Sequence, residues 1–474
     1  MRNKEPMRRM KAPEFKMPSD VEFAVRLLIQ YGARPYLVGG AVRDLLLGIP
    51  SMDYDFEVYG LDADALEDVL RTQGKVQTVG ESFGITKLWT RDGYPVDFAL
   101  PRREDKTGRG HRDFRVAVDP DMDPAEACKR RDFTVNALML DWGTGEVVDH
   151  VGGIADLGDR VIRHVSGQFG EDPLRPLRAM QFAARFDMTV APETAAVCRG
   201  MLDEGRELRF ERVLAEWEKW ARAPHPAAGL RALRDMGWLA LYEELGALVG
   251  LRQDPRHHPE GDVWTHTLLT VDAAARIADE DRLDQKARTE LVFAALLHDV
   301  GKAVTTEIAT DGTVTAKDHA ERGENLAFGF LGRIGACVGV RGVVCALIRE
   351  HMAHLSCPTP SKRSVRRLVD RLKPATIDAL GRLVRADNRA RPPLGGGDPM
   401  CLHVELARLV GVKENGTIHT ILKGRHLIAL GVRPGPAMGQ LLKRAYEAQL
   451  DGEFEDTDGA TRWAAAELQR RDEA

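Results

Sequence analysis

Residues 36–60 read YLVGGAVRDLLLGIPSMDYDFEVYG, and no other stretch so narrows what this chain can fold into. Residues 36–38 predict a short buried strand, Gly39 and Gly40 a tight turn, and 41–47 a helix stopped by Gly48 and Pro50. A second strand follows with Asp53 and Asp55 two residues apart, which places both carboxylates on one face. Such a pair repels unless a cation or a proton lies between its members. The glycine turn leading into a helix offers backbone N–H groups to an anion, and Arg43 adds a fixed positive charge beside it. Metal on one side and phosphate on the other point to a nucleoside triphosphate.

A chain of 474 residues has room for roughly three domains. The formal net charge of -5 means that a nucleic-acid partner would be held by local basic patches and not by a globally cationic surface. The six cysteines form no C-x-x-C pair, which argues against structural zinc and a disulfide framework and fits a reducing cytoplasm. No run approaches the length of a membrane span, and the basic start MRNKEPMRRMK lacks the apolar core of a signal peptide. No membrane partner is expected, and oligomeric state is left open.

Strand and helix patterns mix from 20 to 165, and the remainder is almost entirely helical, so the expected class is an α/β head with a small mixed sheet followed by all-α domains. Residues 1–19 read as a flexible tail, 166–250 as a helical neck, 251–395 as a histidine-bearing helical domain and 400–474 as a C-terminal helical tail. The charged, glycine-bearing start of 101–128 reads as a flexible loop.

A third carboxylate would complete the ligand set of two magnesium ions, and YPVDFAL supplies Asp97, alone among apolar neighbours at a strand end. A lone D-x-D reads more simply as a solvated edge, and it is the combination that shifts the balance. In KRRDFTVNALML, Arg130 and Arg131 can neutralise triphosphate while Asp132 and Asn136 can hydrogen-bond ribose hydroxyls, although a charged cap before core packing gives the same pattern. GEDPLRPLRAMQFAARF predicts a helix with proline in its first turn and Asp172, Arg175 and Arg178 along one stripe. An acceptor beside two guanidinium forks can pair with the edge of a base; surface salt bridges are the plainer alternative.

GGAVRDLLLG with DYD, RRDFTVNAL, DHVGGIADL and EDPLRPLRA, in this order, resemble the class II tRNA nucleotidyltransferase and bacterial poly(A) polymerase family. The resemblance implies Asp53 and Asp55 as magnesium ligands, with Asp97 as a further catalytic carboxylate. It also implies triphosphate contacts from Gly39, Gly40, Arg43 and Arg131, a nucleotide pocket including Asp132 and Asn136, and a base-reading set of Asp172, Arg175 and Arg178. RFERVLAEWEKW looks like the family's next helical motif, and Gln181 stands where the family commonly has arginine.

Seven of the 14 histidines lie between 251 and 354. HPEGDVWTH ends in His266, AALLHDVGK carries His298 and Asp299, and VRADNRAR offers Asp387, together four N/O donors suited to a divalent ion. An isolated His-Asp pair would read as a buried hydrogen bond. The set resembles the HD phosphohydrolase superfamily, with His319 and His351 as further candidate ligands, and Ala320 departing from the common His-Glu pairing. That resemblance implies hydrolysis of phosphate esters with nickel, manganese or magnesium. With KGRHLIALGVRPGP in the tail, the whole order is similar to bacterial CCA-adding enzymes with an HD domain, implying tRNA, CTP and ATP as partners. An enzyme adding only CC or only A, a poly(A) polymerase, and a phosphohydrolase with a non-catalytic RNA-binding head are the alternatives.

Overall fold

The computed structural model describes residues 7–51, 53–79, 85–91, 93, 95–106, 114–413 and 415–472. The chain divides into two compact units, Met1–Leu208 with Ala228–Leu241, and Arg209–Ala227 with Tyr242–Ala474. Residues 166–250, expected as one helical neck, are thus shared between them.

The first unit is built on strands β1 (Arg8–Lys11), β2 (Arg34–Val38), β3 (Asp55–Tyr59), β4 (Lys75–Val79), β5 (Ile85–Trp89) and β6 (Pro95–Ala99), a separate hairpin β7 (Arg102–Lys106) and β8 (Phe114–Val118), then β9 (Met139–Asp141) and β10 (Glu146–Asp149). The main sheet runs β1-β10-β9-β2-β3-β6-β5-β4. Only β3 and β6 pair in parallel; the other neighbours are antiparallel. The central β2 and β3 are buried over four consecutive residues, because both faces are covered, whereas β5 alternates between buried and half-buried positions.

Helices α1 (Ser19–Gln30), α2 (Gly40–Leu46), α3 (Ala63–Arg71), α4 (Pro124–Cys128), α5 (Gly153–Gly158) and α6 (Arg175–Phe186) complete the frame. α1 buries Val21, Ala24, Val25 and Leu28, one helical stripe, and places Asp20 and Glu22 in its first turn, where the helix dipole favours negative charge. The DHVGGIADL stretch is an anchor. Asp149 Oδ1 accepts from the N–H groups of Val151, Gly152 and Gly153 at 3.0, 2.8 and 3.0 Å, and Oδ2 from Ile154 at 2.9 Å. A Cβ on Gly153 would lie 2.2 Å from the Thr134 carbonyl oxygen, so only glycine lets α5 meet the RRDFTVN segment this closely.

Several expectations change. Residues 8–11 are not a free tail but an edge strand registered against β10. Much of 101–128 is ordered, as the β7–β8 hairpin and α4; the hairpin tip, 107–113, lies outside the described residues. Asp53 precedes β3, and only Asp55 is on the strand. α6 begins at Arg175 with Pro176 in its first turn, so Asp172 sits in the preceding turn and not on the helix.

The second unit is helical apart from a small hairpin, Thr306–Ile308 with Val314–Ala316. RFERVLAEWEKW supplies its centre: Trp217 and Trp220 are fully buried, Trp217 Nε1 donates to the Tyr242 hydroxyl at 3.0 Å, and Trp220 Nε1 donates to the Pro226 carbonyl at 2.9 Å. A second apolar cluster, including Leu427, Leu441, Ala445, Phe454 and Ala464, holds the C-terminal helices together. Among the described residues no helix is long and apolar enough to cross a membrane.

Candidate active and metal centres

The register of β3 against β6 sets Asp55 directly beside Asp97. Desolvation, then the negative charges of Asp53 and Asp97, push the Asp55 carboxyl up to about 6. A divalent cation held among these carboxylates would relieve the repulsion that now favours a proton on Asp55. Asp97 is not alone, as the sequence implied. It lies within β6, and Lys87 from the paired position on β5 donates to both its oxygens at 2.7 and 2.9 Å. Glu57, two residues beyond Asp55 and on the same face, is fully enclosed and paired with Arg130 and, at 3.4 Å, with Arg131. Burial would raise its carboxyl, but the two arginines outweigh burial and hold it below the usual range.

The glycine turn packs against these charges. Gly39 has φ 71°, open to glycine at little cost, and a Cβ there would come 3.4 Å from Arg131 Nη1. Arg131 therefore joins the turn to Glu57 and lies close enough to Asp55 to lower its carboxyl partly again. Arg43 has a different setting from the one expected for a triphosphate contact. It is 2% exposed, donates to Asp44 Oδ1 from Nε at 2.8 Å and from Nη2 at 2.7 Å, donates to Asn136 Oδ1, and stacks over Phe186 at 4.4 Å.

From Arg43 the network runs on to α6. Asn136 Nδ2 donates to Asp132 Oδ1 at 3.0 Å, and Asp132 Oδ2 accepts from Arg178 Nε at 2.8 Å and from Nη2 at 2.7 Å. Burial would raise Asp132, yet Arg178 and these hydrogen bonds hold it below its ordinary value. Arg175 spans the turn before the helix, donating to the carbonyls of Gln168 at 2.7 Å and Arg130 at 2.9 Å, while Asp172 Oδ1 accepts from Leu174 N at 3.0 Å. The glycine turn and α6, with Arg175 and Arg178, are thus one hydrogen-bonded body.

The second unit gathers its histidines from separate helices. His266 lies within Val263–Glu280, His298 and Asp299 follow Gln285–Leu297, His319 opens His319–Arg333, His351 follows Val338–Glu350, and Asp387 is near the end of Ile377–Arg389. His266 Nε2 is 3.2 Å from His298 Nε2 and 3.1 Å from Asp387 Oδ1. Asp299 stands at the centre: Oδ2 is 3.2 Å from His298 Nε2, Oδ1 is 3.4 Å from His319 Nε2, and His319 Nε2 is 3.2 Å from His351 Nε2. His266, His298 and Asp299 form one donor group and Asp299, His319 and His351 a second that shares Asp299, while His258, Glu260 and His266 form a third; Asp387 joins the first through His266. Gly301 makes this possible, because a Cβ there would sit 1.9 Å from the His319 carbonyl oxygen.

The donor chemistry fits a metal. His298, His319 and His351 each hold Nδ1 on a backbone carbonyl, those of Ala295, Ala316 and Ile348, at 2.9, 2.8 and 2.6 Å. A carbonyl partner requires hydrogen on Nδ1, so Nε2 is the atom each ring turns to its neighbours and can offer to a cation. Burial, aided by His298, pushes His351 down to about 3, leaving it neutral. Burial would raise Asp299, but His298 and Lys302 outweigh it and hold the carboxyl well below its usual range. The centre opens on a cavity of about 360 Å³ with Arg252, Lys302 and Arg391 among polar walls and Val314, Met352 and Leu355 among apolar ones. Such walls suit a phosphate ester with an apolar or aromatic portion.

The family model described as Poly A polymerase head domain matches residues 35–163, and that of the HD domain matches 263–386. A multifunctional CCA protein of Xanthomonas campestris pv. campestris is 37% identical over 428 residues, covering 88% of this chain and 97% of that protein. The chain belongs to the multifunctional CCA protein family. Another multifunctional CCA protein, from Azoarcus sp., is 40% identical over 322 residues, covering 67% of this chain and 73% of its own. In fold, the chain is similar to a Thermotoga maritima CCA-adding enzyme solved with tRNA (TM-score 0.59, 20% identity, 95% of this chain and 96% of that one). It is also similar to a Bacillus stearothermophilus CCA-adding enzyme solved with CTP (TM-score 0.61, 20% identity, 96% and 100%).

Lys87, Glu57 and Lys302 were not among the residues expected from the sequence. Glu57 was legible as the next carboxylate on the Asp53–Asp55 face, and Lys302 lies three residues after Asp299 in HDVGK, its Nζ 2.7 Å from Asp299 Oδ2. Lys87 had no local signal, since only the pairing of β5 with β6 brings it to Asp97.

Proposed function

We propose that this chain completes the 3′ end of tRNA with nucleotides from CTP and ATP, and that its HD domain hydrolyses phosphate esters with a divalent metal. The observation that supports the transferase reading best is Asp55 set beside Asp97, its carboxyl raised to about 6, in a chain so similar to multifunctional CCA proteins. The solved neighbours with tRNA and with CTP agree with these partners.

In the transfer, the tRNA 3′ hydroxyl attacks the α-phosphate and pyrophosphate leaves. Asp53 and Asp55 would hold magnesium, which would supply activation of that hydroxyl and charge neutralisation on the leaving group. Asp97, steadied by Lys87, is the third acidic group. Gly39 and Gly40 bring backbone close to the triphosphate, with Arg131 as its cation. Arg43, Asn136 and Asp132 set the position of Arg178, which reads the base together with Arg175 and Asp172. Purified protein incubated with tRNA lacking its 3′ end, with CTP alone, ATP alone and both, gives product lengths that separate CCA addition from CC-only, A-only and poly(A) addition. No extension with any mixture would overturn the transferase reading.

Two expected results follow from this site. Asp172→Ala and Arg178→Ala lower selectivity between correct and wrong nucleotides by about 5- to 150-fold, since a base-edge hydrogen bond left half-made costs about 1–3 kcal/mol. Competition among CTP, ATP, UTP and GTP measures this, and unchanged selectivity would remove both residues from the base-reading set. Shortening the hairpin between Arg103 and Arg112 is expected to leave CC addition intact and impair the final A. Equal rates for both steps would detach the hairpin from the switch between nucleotides.

At the HD centre, His266, His298, Asp299 and Asp387 would hold one ion, with His319 and His351 as a second donor pair on the far oxygen of Asp299. An ion held by these residues would supply activation of a water near neutral pH. Lys302 and Arg391 line the cavity as cations for the phosphate of a small ester such as a 2′,3′-cyclic phosphate.

A further inference from the structure

We propose that Glu260 is the positioning carboxylate of the HD metal centre, fixing His266 with its Nε2 turned to the ion; this rests on the metal reading above. Three of the other imidazoles, on His298, His319 and His351, use a carbonyl three residues earlier as the anchor for Nδ1. His266 has no such anchor. It lies inside the helix Val263–Glu280, where the Val263 carbonyl already accepts from Thr267 Oγ1 at 2.8 Å and the Asp262 carbonyl accepts from the His266 amide at 3.1 Å. Its Nδ1 lies 2.7 Å from Glu260 Oε1 instead.

A carboxylate only accepts, so Nδ1 carries the hydrogen, and Nε2, turned towards Asp387, Asp299 and His298, is the atom left for an ion. A charged acceptor also makes the imidazole a better donor to a metal than a carbonyl does. Glu260 is held for this task. Its side chain is 1% exposed, and the same Oε1 accepts from His258 Nδ1 at 2.9 Å. The His258 ring packs edge-on against His266 with centroids 4.9 Å apart. The following turn is pinned by Asp262, which accepts from Thr265 N at 2.9 Å and from Gly250 N at 2.7 Å. An ion held by His258, Glu260 and His266 themselves is the competing arrangement, and it would require His266 Nδ1 to give up its hydrogen.

The test uses full-length protein stripped by chelator and titrated calorimetrically with manganese alone, with elemental analysis for stoichiometry. Glu260→Ala is expected to bind manganese about 10- to 100-fold more weakly at unchanged stoichiometry. Glu260→Gln, which keeps the acceptor and loses the charge, falls between Ala and wild type, a graded order that a merely structural role would not give. tRNA extension, in the other unit, is unaffected, and a near wild-type Tm reports that the unit carrying Glu260 is folded. If the alanine variant fails to fold, the glutamine variant decides alone. Wild-type affinity in the variants overturns the inference, and so does loss of a whole equivalent of metal, which would make Glu260 a ligand. Wild-type protein that takes up no manganese overturns the metal reading itself.

Discussion

Asp55→Ala is expected to slow nucleotide addition at least about 10³-fold, because a metal ligand is worth several kcal/mol of transition-state stabilisation and each 1.36 kcal/mol is tenfold in rate. Its environment predicts that the variant folds well. Desolvation and the charges of Asp53 and Asp97 raise the folded carboxyl to about 6, above its ordinary value, so the ionised group opposes folding at neutral pH. Its removal should leave Tm unchanged or raised, which distinguishes a catalytic defect from an unfolded enzyme. Magnesium competes with the proton on Asp55, so ion uptake in wild type should weaken as pH falls through about 6. Hydrolysis at the HD centre, in the other unit, should be kept. Joint loss of both activities in a folded variant would contradict two independent centres, and near-normal extension would remove Asp55 from catalysis.

Asp299→Asn should abolish metal-dependent phosphate-ester hydrolysis, again by at least about 10³-fold, while tRNA extension persists. One carboxylate serves both donor groups, so bound metal should fall as well as rate. Asparagine keeps the shape, but Lys302 loses its anionic partner at 2.7 Å, and some loss of Tm is expected from that buried, uncompensated charge. Wild-type metal uptake has its own pH signature. Burial disfavours the charged form of His266, yet its hydrogen bonds to Asp387 and Glu260 outweigh burial and push it up to about 9. Metal must displace that proton, so apparent affinity should rise about tenfold per pH unit below 9 and level off above it. Calorimetry in buffers of different ionisation enthalpy counts the proton released. An affinity flat between pH 7 and 9 would show that His266 enters the site already neutral.

Much of both centres was legible because their chemistry is local in the chain. The D-x-D spacing keeps the Asp53 charge within reach of Asp55 although only Asp55 lies on β3, and HDVGK brings His298, Asp299 and Lys302 into one turn. Asp387 is different. Nothing near it announces a ligand, and it was named only as the fourth donor of a set that resembles the HD superfamily. The misplacements share a cause. The tail at 8–11 has no apolar pattern of its own and becomes a strand only because β10 offers a free edge. The β7–β8 hairpin looked like loop because it pairs outside the main sheet, a tertiary choice that the charged, glycine-bearing sequence does not signal.

The sequence by itself determined the chemistry available: which carboxylates, imidazoles and guanidinium groups the chain owns, and the glycines at 39 and 301 where backbone must pass close. Tertiary structure decided how these groups are shared. It buried Arg43 on Asp44 and Asn136, gave Asp97 its Lys87, and made Asp299 the common member of two donor groups. It also gave His266 a carboxylate in place of a carbonyl. The reason is physical: a side chain's composition is fixed along the chain, but its charge state and hydrogen-bond partners depend on desolvation and on neighbours distant in sequence.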